Sequence, residues 1–146
     1  MLVIPVEAAA FALVTAAATR FSKKNVLIID AGTCITFDIL NAQNEYLGGA
    51  ISPGIHMRYK SLNYYTSKLP ELSISDSFSL VGSSTSESIH SGVINGVIHE
   101  INGVINQYKE KFEDLTVVLT GGDTNFLSKQ LKNSIFATQN FLLYGL

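Results

Sequence analysis

From Leu2 to Ala18 the chain is almost wholly apolar or small, and Ala8 to Ala18 is rich in the strongest helix former. The pattern predicts a buried helix, with Arg20 suited to the negative pole of its dipole. Asn25 to Asp30 (NVLIID) is a β-branched run bounded by Ser22-Lys23-Lys24 and reads as a central strand. Ala31-Gly32-Thr33 turns it into a second run, Cys34 to Leu40, and the polar stretch Asn41 to Glu45 leads to a third, Tyr46 to Ser52. Connections this short join antiparallel neighbours, so the three runs predict a meander. Pro53-Gly54 ends it and starts a helix over Ile55 to Tyr65, with Leu69-Pro70 marking the exit.

Thr85 to Phe112 carries one long helical pattern, with Ile89, Val93, Val97, Ile101, Val104 and Tyr108 forming a buried stripe. Gly92, Gly96 and Gly103 each cost that helix up to about 1 kcal/mol relative to Ala, which predicts close approach by a packed helix or a subunit partner. Thr85 and Ser88 stand where a hydroxyl can cap its start. A strand over Leu115 to Thr120, a helix over Thr124 to Leu131, a short strand near Ile135-Phe136 and a C-terminal apolar helix over Phe141 to Leu146 follow. A meander followed by alternating helices and strands predicts an α/β domain, a mixed sheet covered by helices. That order is similar to the ribonuclease-H-like half-domain of the actin, Hsp70 and sugar-kinase superfamily.

Composition narrows the function classes. A chain of 146 residues, 47% hydrophobic and 15% charged, can bury a core as one domain without staples. A single cysteine, Cys34, excludes an internal disulfide framework, no Cys or His spacing matches a zinc site, and the expected compartment is a reducing one, the cytoplasm. With a net charge of −2 and scattered Lys and Arg, no nucleic-acid partner is expected. The apolar start lacks a basic flank, contains Pro5 and Glu7, and falls short of the roughly 20 residues a spanning helix needs, so no membrane partner is expected either.

Four segments have the residue types for chemistry. In Asp30-Ala31-Gly32-Thr33, the glycine lets backbone N–H groups approach an anion and the threonine hydroxyl can donate to a phosphate oxygen. The Asp30 carboxylate would repel phosphate unless a cation lay between them; the same residues also suit an ordinary hairpin turn. Thr120-Gly121-Gly122-Asp123 follows an apolar strand, leaving flat backbone for a ring or sugar beside a helix N-terminus, or simply a strand-to-helix turn. Gly48 to Gly54 holds more turn residues than one turn requires, which suggests a surface shaped for a ligand or partner, against a bulge and helix start. The hydroxyls of Ser83, Ser84 and Thr85 can orient a polar substrate or cap the long helix. His56, His90 and His99 are dispersed and read as surface or helix-face residues, Cys34 as a core thiol, and Tyr59, Tyr64 and Tyr65 as packing or a dimer edge.

Together, DAGTCITFD, YLGGAISPG, LP, GSSTSESIHSG and LTGGD, in this order from Asn25 onwards, resemble the type III pantothenate kinases. The resemblance implies a homodimer that uses ATP to phosphorylate pantothenate on the way to coenzyme A, with magnesium and a monovalent cation, potassium or ammonium. Carried over by position, it implies that Asp30 is the monovalent-cation ligand, that Gly32 and Thr33 meet ATP, and that Gly121 and Gly122 form the adenosine side. Thr85 is implied as a pantothenate contact, with Gly49, Pro53 and Gly54 shaping the substrate surface.

Two departures accompany the matches. The family begins with a further half-domain carrying an Asp-x-Gly-Asn-Thr phosphate loop, which nothing in this chain resembles, so residues 1–146 read as the second domain only, with the first ATP-binding domain absent. The family's Gly-x-Asp-Arg segment aligns with Glu7-Ala8-Ala9-Ala10, so that Ala9 stands at the general-base position and no catalytic residue is assigned. Glu7, two positions early, would point about 200° away on a helix. The chain alone is therefore expected to be inactive; a non-catalytic regulatory or dimerisation module that keeps the kinase scaffold is the alternative.

Overall fold

The computed structural model describes residues 4–132 and 134–141, with side chains from residue 10 onward. Five strands, β1 (Val26–Ala31), β2 (Cys34–Leu40), β3 (Tyr46–Pro53), β4 (Thr116–Thr120) and β5 (Phe136–Ala137), form one sheet in the order β3-β2-β1-β4-β5. The meander is antiparallel, whereas β4 and β5 run parallel to β1. A central β1 flanked by an antiparallel β2 on one side and a parallel β4 on the other is the strand plan of the ribonuclease-H-like fold, as the element order predicts.

Because successive strand residues face opposite sides, β1 and β2 feed two cores. Leu27, Ile29, Ile35, Phe37 and Ile39 pack on one side against α2 (Ile55–Tyr64), α3 (Thr85–His90), α4 (Gly96–Lys111) and α5 (Thr124–Gln130). Val26, Ile28, Leu40 and Val118 face the other side, where Leu13, Ala16 and Ala17 of α1 (Ile4–Arg20) and the ring of Phe141 cover them. α1 is thus half-buried rather than buried: it lies over the sheet on one flank, and Phe11 on its outer flank is 75% exposed. An all-round apolar sequence does not reveal which flank is covered.

The long helical pattern is one rod with a π-helical turn, Ser91–Asn95, between α3 and α4. The extra residue there shifts the stripe, so Ile94 and Ile105 are buried along with Val93, Val97 and Ile101. Ser91 donates to the Leu80 carbonyl at 2.5 Å and Asn95 donates to that of Ser79 at 3.2 Å, so the turn anchors the loop preceding the rod. No described atom comes within 4 Å of a Cβ built at Gly92, Gly96 or Gly103, so the packed helix expected there is not found among the described residues. The cap is Ser84, whose hydroxyl accepts the Glu87 N–H at 3.2 Å, and Thr85 is the first helical residue. The remaining boundaries shift by one or two residues. Of the C-terminal apolar segment, Phe141 is buried, and residues 142–146 lie outside the described residues.

Candidate functional site

β1, β2 and β4 meet α2 and α5 at one end of the sheet, around the turn after Asp30. The turn is tight, with the Gly32 N–H donating to the Cys34 carbonyl at 2.9 Å. Gly54 grips it from one side: its N–H donates to the Thr33 carbonyl at 3.1 Å, and a Cβ there would lie 2.2 Å from the Gly32 oxygen and 2.3 Å from the Thr33 oxygen. Gly121 grips it from the other side at φ +100°, where a Cβ would lie 2.5 Å from both the Ala31 oxygen and Asp30 Oδ1. The Asp123 N–H donates to the Ala31 carbonyl at 3.0 Å, and the Thr124 hydroxyl donates to the Gly121 carbonyl at 2.7 Å. His56 of α2 and Asp123 before α5 close the ring, with 3.7 Å between Nε2 and Oδ1.

The electrostatics of this end are those of undercompensated acids. Burial pushes the Asp30 carboxyl up, and the charge of Asp38 on β2 adds to the push. Among the described residues no basic side chain pairs with Asp30. Burial likewise raises Asp123, opposed by His56. The structure therefore brings Asp30, Gly32, Thr33, Gly54 and Gly121 into one constellation with Asp123, while Gly122, with no described atom within 4 Å of a built Cβ, faces open space beside it.

Thr85 lines a separate cleft of about 890 Å³ between α2 and the start of α3, shared with Ser83, Ser84, Ser88, Arg58 and Leu62. α2 connects the two places, since it begins at the gripped turn and its Arg58 and Leu62 reach the cleft. Arg58 is held there by the Pro53 carbonyl at 2.9 Å, the Ser52 hydroxyl at 3.1 Å and Glu100 Oε2 at 2.5 Å, and the Ser52 hydroxyl donates to the other Glu100 oxygen. Pro53, opposite Cys34 in the sheet, sits at the junction. Gly49 does not join this cleft: it pairs with Asp38 in the sheet and lines the space between α1 and β2–β3. Ala9 lies in α1, and its side chain falls outside the described residues.

Sequence reading missed several partners. His56, a helix-face residue by sequence, has Asp123 beside it; the two are far apart in sequence and meet because α2 and α5 start at the same sheet end. His90 Nδ1 is 2.7 Å from the hydroxyl of buried Tyr59, whose own pKa burial pushes up to about 12. Cys34 is half-buried rather than a core thiol, and Tyr64 and Tyr65 are each 80% exposed. Asp38 had one signal, a carboxylate in the middle of the apolar run CITFDIL. Among the described residues no helix is long and apolar enough to cross a membrane.

The family profile described as type III pantothenate kinase matches residues 9–107. A type III pantothenate kinase of Flavobacterium johnsoniae is 51% identical over 134 residues, which is 92% of this chain and 55% of that protein. One of Christiangramia forsetii is 56% identical over 135 residues, 92% of this chain and 56% of that protein. The crystal structure of a Baf family transcriptional activator from Campylobacter jejuni superposes with a TM-score of 0.60 at 26% identity, over 90% of this chain and 58% of the other. The chain spans about half the length of the curated relatives it matches.

Proposed function

Because the chain belongs to the type III pantothenate kinase family, a family of kinases, we propose that it forms one wall of a cleft in which ATP phosphorylates pantothenate, towards coenzyme A. The observation that carries the reading is the Asp30–Thr33 turn gripped between Gly54 and Gly121. Such a turn holds its backbone still and keeps side chains away from the place where phosphates would lie. In this reading the Thr33 hydroxyl donates to a phosphate oxygen and Gly32 lets the chain approach it. Gly121 and Gly122 leave room for the adenosine.

Asp30 fits a cation. Both influences on its carboxyl, burial and Asp38, disfavour the charged form, and a bound cation reverses both. A carboxylate beside the Ala31 carbonyl oxygen offers the oxygen ligands that suit potassium or ammonium, and that charge, when bound, would neutralise the repulsion between Asp30 and the phosphates. Magnesium is proposed to arrive with the ATP phosphates. The hydroxyls of Ser83, Ser84 and Thr85 supply the polar wall that orients pantothenate, opposite the apolar Leu62 and Leu69. Arg58, fixed by Glu100 and Ser52, ties the Pro53-Gly54 strand exit to that wall. A cytoplasmic homodimer completes the reading.

Phosphoryl transfer also needs a base to take the hydroxyl proton and groups that neutralise the phosphates. Alanine at position 9 takes no proton, so this reading gives the chain binding without chemistry by itself. The test is calorimetry with ATP and with pantothenate in potassium and magnesium. The expected result is heat with ATP, with affinity falling about tenfold in Thr33→Val for loss of one hydrogen bond to a charged oxygen. No heat with either ligand overturns the reading.

A further inference from the structure

A second cleft, of about 600 Å³, lies between α1 and the β2–β3 hairpin, away from Thr85 and its hydroxyls. Its walls are mainly apolar, from Phe11, Val14, Leu40 and Ile51, and its volume lies in the range of about 300–1,000 Å³ typical of small-molecule sites. Asp38 opens onto it. This side chain is only 5% exposed; its Oδ1 accepts the Tyr46 hydroxyl at 2.7 Å, and its Oδ2 is buried with no hydrogen-bond partner among the described residues.

A buried carboxylate oxygen left without a donor is costly, and native structures rarely keep one without a use. Among the described residues nothing covers it from the sheet side. The residue opposite Asp38 on β3 is Gly49, and a Cβ there would lie 1.6 Å from the Phe37 carbonyl oxygen, so β3 cannot supply a covering side chain without shifting. The charge of Asp38 is felt by Asp30, on the same face of the sheet, and by Tyr108 of α4; Asp30 adds repulsion and no partner.

The chemistry that completes such a place is a donor-bearing positive head on an apolar stem. An anion would meet the carboxylate, and a neutral alkyl chain would leave Oδ2 unpaired. A bare inorganic cation needs several oxygens, and Thr15, Thr36, Asn44 and Tyr46 also line the cleft; what favours an organic cation over it is the hydrocarbon of Phe11, Val14, Leu40 and Ile51, along which an alkyl stem can lie. A guanidinium or primary ammonium donates two or more N–H bonds to one carboxylate, and its alkyl stem lies along the apolar wall. We infer that the cleft between α1 and β2–β3 is a binding site for a small organic cation, an alkylguanidinium or alkylammonium, held by Asp38. The cleft is separate from the phosphate turn, although Asp30 feels the charge of Asp38, and binding of a cation at Asp38 is read without ATP or pantothenate, apart from the kinase reading.

The probe is n-butylguanidinium at low millimolar concentration, followed by two-dimensional NMR of the uniformly labelled chain and by thermal denaturation. The expected result is saturable movement of the Leu40 and Ile51 amide signals and a melting temperature raised by about 2–4 °C. Asp38→Asn keeps the shape and removes the charge, so affinity should fall about tenfold or more. Ala10→Leu adds bulk to the cleft wall and leaves the carboxylate in place, so it should weaken binding even if Asp38→Asn folds poorly. Failure of butylguanidinium to bind overturns the proposal. So does equal binding of n-butanol, which would make the cleft merely apolar, or unchanged binding in both variants. Displacement of the probe by equimolar potassium would assign Asp38 to an inorganic ion and equally overturn it.

Discussion

Gly121→Ala and Gly122→Ala are neighbouring substitutions with opposite expected outcomes. At Gly121 the backbone sits at φ +100°, which an L side chain adopts at a cost of about 1–3 kcal/mol. The added methyl would also stand 2.5 Å from the Ala31 carbonyl oxygen and 2.5 Å from Asp30 Oδ1. The carboxylate can swing aside, but the carbonyl belongs to β1 and accepts the Asp123 N–H at 3.0 Å, so relief requires strand and turn to part. Overpacking of this kind costs about 1–3 kcal/mol more. The sum, about 2–6 kcal/mol, is a large share of the roughly 5–15 kcal/mol that holds a domain together. For a chain of 146 residues, at about 3 °C per kcal/mol, it corresponds to a melting temperature lower by about 6–18 °C. Gly122 has neither feature: its φ is not positive and no described atom lies within 4 Å of a built Cβ, so the change should stay within about 1 kcal/mol in either direction. Denaturation of the two variants by heat and by urea, followed by circular dichroism, measures both. Equal losses in the pair, or a loss below about 1 kcal/mol for Gly121→Ala, would refute the grip described for the turn.

Asp30 sets a pH dependence whose sign follows from its raised folded-state pKa: the folded chain holds the proton more tightly than the unfolded one, so the penalty is absent below the ordinary carboxylate value and complete above the raised one. Asp30→Asn should therefore raise the melting temperature at neutral pH in sodium buffer, with the gain shrinking as pH falls towards about 4; a gain that grows on acidification contradicts the burial argument. Ser84→Ala removes the hydroxyl that accepts the Glu87 N–H, and should cost about 0.5–2 kcal/mol in urea denaturation, whereas Thr85→Ala, outside the cap, should cost less. Glu100→Ala leaves Arg58 half-buried without its carboxylate and should lower the melting temperature more than Glu110→Ala on the same helix. In a coupled assay for ADP release, the purified chain should show no pantothenate-dependent turnover; measurable turnover overturns the argument from Ala9.

Local pattern carried most of the fold into view. Strand runs such as NVLIID and CITFDIL are apolar and bounded by turn residues, and each lies within a residue of a strand in the structure. The Asp30–Thr33 turn was legible as a turn, because glycine and threonine after an apolar strand suit a hairpin whether or not a phosphate lies beside it. The partners that make it a constellation were not, because Gly54 and Gly121 act through distances to the backbone of β1 and β2 and carry no side chain whose chemistry announces the contact. The π-helical turn escaped for a related reason: a stripe drawn through Val93, Val97 and Ile101 looks continuous with or without the added residue, since all three are buried. Asp38, a carboxylate inside the apolar run CITFDIL, was not legible as a candidate, because only the cleft beside it gives the residue a meaning.

The parallel pairing of β1 with β4 has a consequence for when the turn can exist at all. β1, β2 and β3 are contiguous and can zip together as soon as residue 53 is free, with Asn25 already able to bond Ala42 at 3.0 Å. The second jaw on the turn, Gly121, reaches it only after β4 has docked along β1, with Val26 opposite Thr116, across the whole rod of α3 and α4. Closing a loop of that length is the slow, entropy-limited event in folding. On a ribosome, a nascent chain that has emerged only through α4 would thus carry a meander of native register and a turn gripped by Gly54 alone, and the second jaw would close late and in one step.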